Sequence, residues 1–207
     1  MRLLRAPGAH TSQDDTALLV EALHGAAIPA GARVLDVGTG TGALAVAAIH
    51  AGAAEVTGVD VFRRAVWTAR ANAALRRVPL RIRLGSALQV ISDERFDLVL
   101  VNPPYVPAAR SCAARGAERA WDGRRLLDPL CAKMFDLLVP GGVVLMVHSA
   151  LCGVDTTLRQ LRDNGLKAAV VQRRIEPGRR DEELVVIRGD RAEPAQGDGG
   201  PERAGAR

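Results

Sequence analysis

Residues 33–60, RVLDVGTGTGALAVAAIHAGAAEVTGVD, leave this chain few folds to choose from. An apolar run, Arg33 to Val37, breaks at Gly38, Gly40 and Gly42. An Ala-rich, helix-prone segment follows to Gly52, and a second apolar run, Glu55 to Asp60, ends on an acid. Strand, glycine turn, helix and strand in this order form a βαβ unit, whose two strands lie parallel with the helix packed across them.

The alternation continues. FRRAVWTARANAALRR (Phe62 to Arg77) sets Ala65, Val66, Ala69 and Ala73 on one face, predicting an amphipathic helix stopped before Pro79. Strands are predicted at Leu80–Leu84, Phe96–Val101, Val143–His148, Lys167–Arg173 and Glu182–Arg188, the last antiparallel after the turn IEPGRRD. Helices are predicted over Leu126–Leu138, with Pro129 in the first turn, and over Val154–Asn164, closed by Gly165. The class is therefore α/β: a Rossmann-like seven-stranded sheet with helices on both faces. Residues 31–188 make the main domain. Residues 1–30 form an N-terminal segment with one short helix, roughly Asp14 to Leu23. Residues 189–207, rich in Gly, Pro and charge without apolar periodicity, are expected to be a disordered tail.

No apolar run approaches the ~18 residues of a membrane span, and MRLLRAPGAH lacks the apolar stretch of a secretory signal, so a cytoplasmic protein with no membrane partner is expected. Cys112, Cys131 and Cys152 form no CxxC pair, and His10, His24, His50 and His148 are scattered, the pattern of reduced thiols and surface or satisfied histidines. No metal site is predicted. The net charge of +5 raises nucleic acid as a partner. Nearly all of it is Arg, which GC-rich coding would also produce, so charge alone does not choose.

The glycine loop fits a nicotinamide or flavin site as well as others, because Gly38, Gly40 and Ala43 satisfy GxGxxA. Asp36 discriminates. An acid two positions before the first glycine would repel a pyrophosphate but suits a ligand carrying an ammonium and a sulfonium, as S-adenosyl-L-methionine does. Asp60, at the end of the second strand, is placed for two ribose hydroxyls.

The fourth strand ends in Asn102, Pro103, Pro104 and Tyr105, at the edge where open α/β sheets bind ligands. Two prolines cannot continue a ladder, yet they make a rigid, carbonyl-rich corner. A planar –NH₂ on an sp² carbon has two donors in one plane. The Asn102 side-chain carbonyl can accept one and the Pro103 main-chain carbonyl the other, while Tyr105 stacks on the flat face. Both hydrogen bonds strengthen as positive charge develops on nitrogen during attack on a methyl.

With these residues the chain resembles the class I methyltransferases of the HemK/PrmC family, in its short branch, from about Asp14 to Arg188. DDTALLVEAL, LDVGTGTG, GVD, VNPPYVP, AWDGRRLLD, LVPGGVVLMV and EELVVIR carry the likeness. The resemblance implies an S-adenosylmethionine-dependent enzyme that methylates the glutamine amide nitrogen of peptide-chain release factors. It implies that Thr16 lies near the methionine end of the cofactor, that Asp36, Gly38, Gly40 and Gly42 line its loop, that Asp60 holds the ribose, and that Asn102 to Tyr105 hold the substrate amide. It also implies a small zinc-ribbon activator protein as a partner in part of that branch. The chain departs from the family at GSALQ, where Ser86 and Ala87 must meet adenine in place of an acid, at HTSQ (His10 to Gln13), and at WDGRR. An adenine-N6 methyltransferase on DNA or RNA is the alternative, since that amine is also planar. A small-molecule methyltransferase is a third reading, and a non-catalytic cofactor-binding protein a fourth.

Overall fold

The computed structural model describes residues 4, 13–26, 28–91, 93–103, 123–176 and 182–193. In chain order these form α1 (Gln13–Gly25), β1 (Arg33–Val37), α2 (Ala43–His50), β2 (Glu55–Asp60), α3 (Arg63–Arg76), β3 (Leu80–Leu84), a one-turn α4 (Ala87–Val90) and β4 (Phe96–Val101). After them come α5 (Gly123–Leu137), β5 (Leu138–Ser149), a 3-10 turn at Ala150–Cys152, α6 (Val154–Asp163), β6 (Leu166–Glu176) and β7 (Glu182–Arg191).

The seven strands make one sheet in the order β3-β2-β1-β4-β5-β7-β6. The first five are mutually parallel, and β7 runs antiparallel between β5 and β6. The fold is a Rossmann-like seven-stranded sheet with one antiparallel strand. Chain order reverses direction at β1 and β4, so a crevice opens outside their carboxyl ends.

Alternation along the central strands supplies two cores. On one face Leu35, Val37, Val99, Val101, Val144 and Met146 pack against Leu127, Leu130, Cys131 and Met134 of α5 and Leu161 of α6. On the other, Val34, Leu98, Leu100, Leu145 and Val147 meet α2 and the Leu18, Leu19 and Leu23 side chains of α1. Each of those three leucines is fully buried, worth about 1.5–3 kcal/mol apiece. This burial seats α1 on the sheet. A smaller cluster, Val66, Ala69 and Ile82, fixes α3 over β3.

Several boundaries differ from the sequence expectation: β6 runs on to Glu176, past the expected Arg173 and into the expected turn, and three others have a visible cause. Pro129 is interior to α5, not in its first turn. Arg124 holds the earlier turn in place, since its guanidinium donates to Thr157 Oγ1 at 2.7 Å and Gln160 Oε1 at 2.9 Å on α6 and pairs with Asp128. Pro129 itself is exposed. β5 begins at Leu138, and the PGG turn is absorbed as a register shift against β4, from Phe96↔Leu138 to Leu98↔Val143. β7 runs on to Arg191, so Gly189–Arg191 belong to the sheet and not to the tail. The remainder of that tail, 194–207, lies outside the described residues. No described helix is long and apolar enough to cross a membrane.

Candidate functional site

The parallel run of β1, β2 and β4 brings their carboxyl ends to one edge. Past Val37 the loop folds over β2: the Gly38 and Thr39 N–H groups both donate to the Val59 carbonyl, at 2.9 and 3.0 Å. Gly38, Gly40 and Gly42 all have positive φ, at 73°, 54° and 81°, a region that costs other residues about 1–2 kcal/mol each. A Cβ at Gly42 would also lie 3.4 Å from Ala69 Cβ, so α2 starts pressed against α3. Gly58 answers the loop from β2. A Cβ there would come within 2.8 Å of Thr39 Oγ1.

Asp36 is fully buried beneath this loop. Its Oδ2 accepts from Thr39 Oγ1 at 2.7 Å and from the Ala45 N–H, in the first turn of α2, at 3.1 Å. Its Oδ1 is buried with no partner. Burial pushes the carboxyl up to about 7, with the Asp60 charge adding to the rise and the two hydrogen bonds opposing it. Asp60 accepts the Gly40 N–H on one oxygen at 3.0 Å and the Phe62 N–H on the other at 2.9 Å. Its pKa is also raised by burial, against those bonds. Asp60 thus ties β2 to the glycine loop. Thr39 was not singled out by the sequence reading, although it lies inside the motif: its hydroxyl aligns Asp36, and nothing in a Gly-Thr-Gly string states that a donor is needed there.

At the end of β4, the Asn102 side-chain nitrogen donates to Thr16 Oγ1 on α1 at 3.2 Å. The Asn102 main-chain oxygen lies 3.8 Å from where a Gly38 Cβ would sit, so Thr16, the glycine loop and the asparagine meet at one point. Asn102 is half-buried and Pro103 buried. Pro104, Tyr105 and the segment to 122 lie outside the described residues, as do His10 and its neighbours to Ser12. Gly85, between β3 and α4, donates its N–H to the Asp60 carbonyl, which sets Ser86 and Ala87 beside the acid. The Ala87 methyl is buried in the core, so only its main chain can face a ligand. Ser86 is half-buried at the start of α4.

His148 is fully buried, unlike the surface or satisfied histidine expected. It stands on β5 two residues beyond the Val101–Met146 pair, level with Pro103. Its Nδ1 lies 2.8 Å from the Ser149 carbonyl, while Nε2 is buried without a partner. Burial, mainly, lowers its pKa and keeps it neutral. Among the described residues no group of His, Cys, Asp or Glu is arranged to hold a metal.

Residues 6–174 match the family model described as the methyltransferase small domain. A Methanocaldococcus jannaschii protein, assigned as a protein N5-glutamine methyltransferase, is 33% identical over 159 residues, covering 74% of this chain and 79% of that one. The release factor glutamine methyltransferase of Deinococcus radiodurans is 39% identical over 150 residues, 67% of this chain. The chain spans about half the length of that relative, 52%. Among solved structures it is similar to the E. cuniculi Mtq2-Trm112 complex, responsible for methylating the eRF1 translation termination factor. The TM-score is 0.65 and the identity 21%, with 88% of this chain and 98% of that one covered. That similarity carries the fold.

Proposed function

Since the chain belongs to the methyltransferase small domain family, we propose that this methyltransferase binds S-adenosyl-L-methionine over the carboxyl ends of β1, β2 and β4 and methylates the N5 nitrogen of a glutamine side chain. The observation that carries the reading is the Asn102–Thr16 hydrogen bond. With its nitrogen committed to Thr16, the Asn102 amide leaves Oδ1 to accept from an acceptor amide. The Pro103 carbonyl is the second acceptor, and Tyr105 the stacking surface.

The residues present fit the cofactor. Asp36 Oδ1 is a buried acceptor lacking a donor, and an ammonium group would satisfy it. Asp60 spends one lone pair of each oxygen on main-chain N–H groups and keeps capacity for ribose hydroxyls. Gly38, Gly40 and Gly42 let a ligand approach the main chain, Ser86 and the Ala87 backbone border the adenine end, and Thr16 the methionine end. When bound, S-adenosylmethionine supplies an electrophilic methyl on a sulfonium. The chain itself orients the acceptor nitrogen: two fixed carbonyl oxygens hold its N–H groups in one plane and bind them more tightly as charge develops there. Positioning of this kind contributes on the order of 7–11 kcal/mol to such reactions.

A peptide-chain release factor is the proposed protein substrate, supported by the relatives named for that activity. A small zinc-ribbon activator, which the family resemblance implies, is the proposed partner; the two-protein Mtq2-Trm112 complex supports a second subunit. The test incubates the purified chain, alone and with such an activator, with labelled methyl donor and unmodified release factor, followed by peptide mass spectrometry. A methyl on the glutamine amide is expected. Label found only in adenine of added nucleic acid, or no transfer with either preparation, overturns the reading.

A further inference from the structure

We propose that the exposed face of α3 is a docking surface for single-stranded RNA, alongside the methyl-transfer crevice. From Val61 to Ser92 the chain contains seven arginines and no Asp or Glu, a local charge of +7 against +5 for the whole protein, which leaves −2 elsewhere. A run of positive charge with no acid in it thus lies on α3 and β3.

Leaving aside the half-buried Arg76, partners divide these arginines into two sets. On β3, Arg81 pairs with Glu55 at 3.3 Å and Arg83 with Glu94. On α3, Arg63, Arg64 and Arg70 face solvent and make no ion pair among the described residues; Arg70 donates only to the Ile82 carbonyl, at 2.8 Å. Arg77, at the helix end, is likewise exposed and unpaired among those residues. Trp67 lies in the middle of this set, 69% exposed, one turn from Arg63 and Arg64 on one side and from Arg70 on the other. Phe62, 40% exposed, stands at the head of the helix.

A merely solvated helix would be built otherwise. Two cations in the first turn oppose the helix dipole, which favours Asp or Glu there, and α3 has no acid in that turn. An anion brought to that end relieves both the dipole and the arginines. A strand of phosphates meets the charge, and an unstacked base meets the indole, so the guanidinium groups and Trp67 are used together. An acidic peptide would use the guanidinium groups and leave Trp67 idle. A duplex keeps its bases stacked and could not offer one to a convex helix. Because α3 follows directly from Asp60, the face begins at the rim of the crevice. The choice of RNA over DNA rests on the proposed release-factor substrate, which works in translation. The surface itself does not.

The test is fluorescence anisotropy with a labelled uridine-rich RNA of ~20 nucleotides, without methyl donor, at low and at physiological salt. Binding that weakens steeply with salt is expected. Arg63→Glu with Arg64→Glu should weaken it at least about tenfold, and Trp67→Ala about fivefold or more. Arg159→Glu with Lys167→Glu reverses the same charge at two exposed positions on α6 and β6 and should change it less than about twofold. Circular dichroism of every variant checks that the fold is kept. Absence of binding at low salt, equal loss in both charge-reversed proteins, equal affinity for DNA of the same sequence, or equal competition by a polyglutamate peptide each overturns the proposal. Methyl transfer is read separately: absence of strand binding leaves the methyltransferase reading standing, and absence of methyl transfer to a release factor removes the reason for RNA over DNA but not the cationic, aromatic surface.

Discussion

The Asn102 side-chain nitrogen donates to Thr16 Oγ1 at 3.2 Å, joining the end of β4 to the first turn of α1 across 86 positions of sequence. The bond decides which end of the amide faces the crevice. Thr16→Val keeps the shape but removes the acceptor, and turnover should fall about fivefold, matching the ~1 kcal/mol of a typical hydrogen bond. Asn102→Ala should cut kcat by on the order of 10² or more with donor affinity nearly intact. Single-turnover assays and calorimetry separate the two effects. Unchanged turnover in Asn102→Ala would remove this residue from the mechanism.

Asp60→Ala should weaken donor binding and also the fold. The carboxylate serves the Gly40 and Phe62 N–H groups, and leaving two such donors without it costs about 1–3 kcal/mol for each that water cannot reach. Calorimetry should show a dissociation constant raised at least about tenfold, and thermal melting a lower midpoint. An unaltered constant contradicts the ribose assignment.

Asp36 makes both stability and binding depend on pH. Its carboxyl titrates at about 7 in the fold against 3.8 ordinarily. Between those values the folded protein holds a proton that the unfolded chain has released, so stability falls as pH rises through this window and stays lower above it. Urea midpoints of the ligand-free protein should show that fall, and Asp36→Asn should flatten it. Donor affinity should run the other way, rising toward pH 8 with proton release, because the ammonium needs the ionised acid. A pH-independent affinity would disconnect Asp36 from the ligand.

His148 tilts the acid side in the opposite sense. Its pKa lies below the ordinary 6.5 because it is buried, so the stability it contributes is present above 6.5 and lost as pH falls below it. In an Asp36→Asn background, where the opposing slope is gone, His148→Gln should reduce acid destabilisation between pH 7 and 5. Equal slopes with and without His148 would show that it titrates normally.

Gly58→Ala tests the packing under the glycine loop. The added methyl would meet Thr39 Oγ1 at 2.8 Å and Ile82 Cδ1 at 3.0 Å, and moving Thr39 breaks its bond to Asp36. Overpacking of this kind costs about 1–3 kcal/mol. Donor affinity should drop along with the melting temperature. A variant that melts lower but binds normally would show that Thr39 has room to turn.

Four strands, β1 to β4, fall where the sequence puts them, residue for residue, because each is a short apolar or, in β3, alternating run closed by Gly, Pro or an acid. The chain is harder to read where distant partners override local composition. Gly189, Asp190 and Arg191 look like tail, yet Arg188 grips Asp190, and Arg191 donates to the Phe135 and Leu138 carbonyls while lying over the Phe135 ring. Pro129 looks like a helix start because it usually is one, and the bonds that extend α5 upstream of it come from Arg124 reaching to α6. In the site, Asp36 and Asp60 were legible from spacing to the glycines. The Thr16 contact with Asn102 was not, since no local pattern links residues so far apart, and His148 had no motif around it.

The sheet also has an order of assembly written into it. β7 inserts between β5 and β6, both of which leave the ribosome before it. A nascent chain paused short of Glu182 would have its ligand-facing half complete, but β5 would be left with a bare rim and β6 with no neighbour. Such rims attract strands from other chains. The last dozen described residues therefore act as a seal, and the molecule is safe from its neighbours only once they are made.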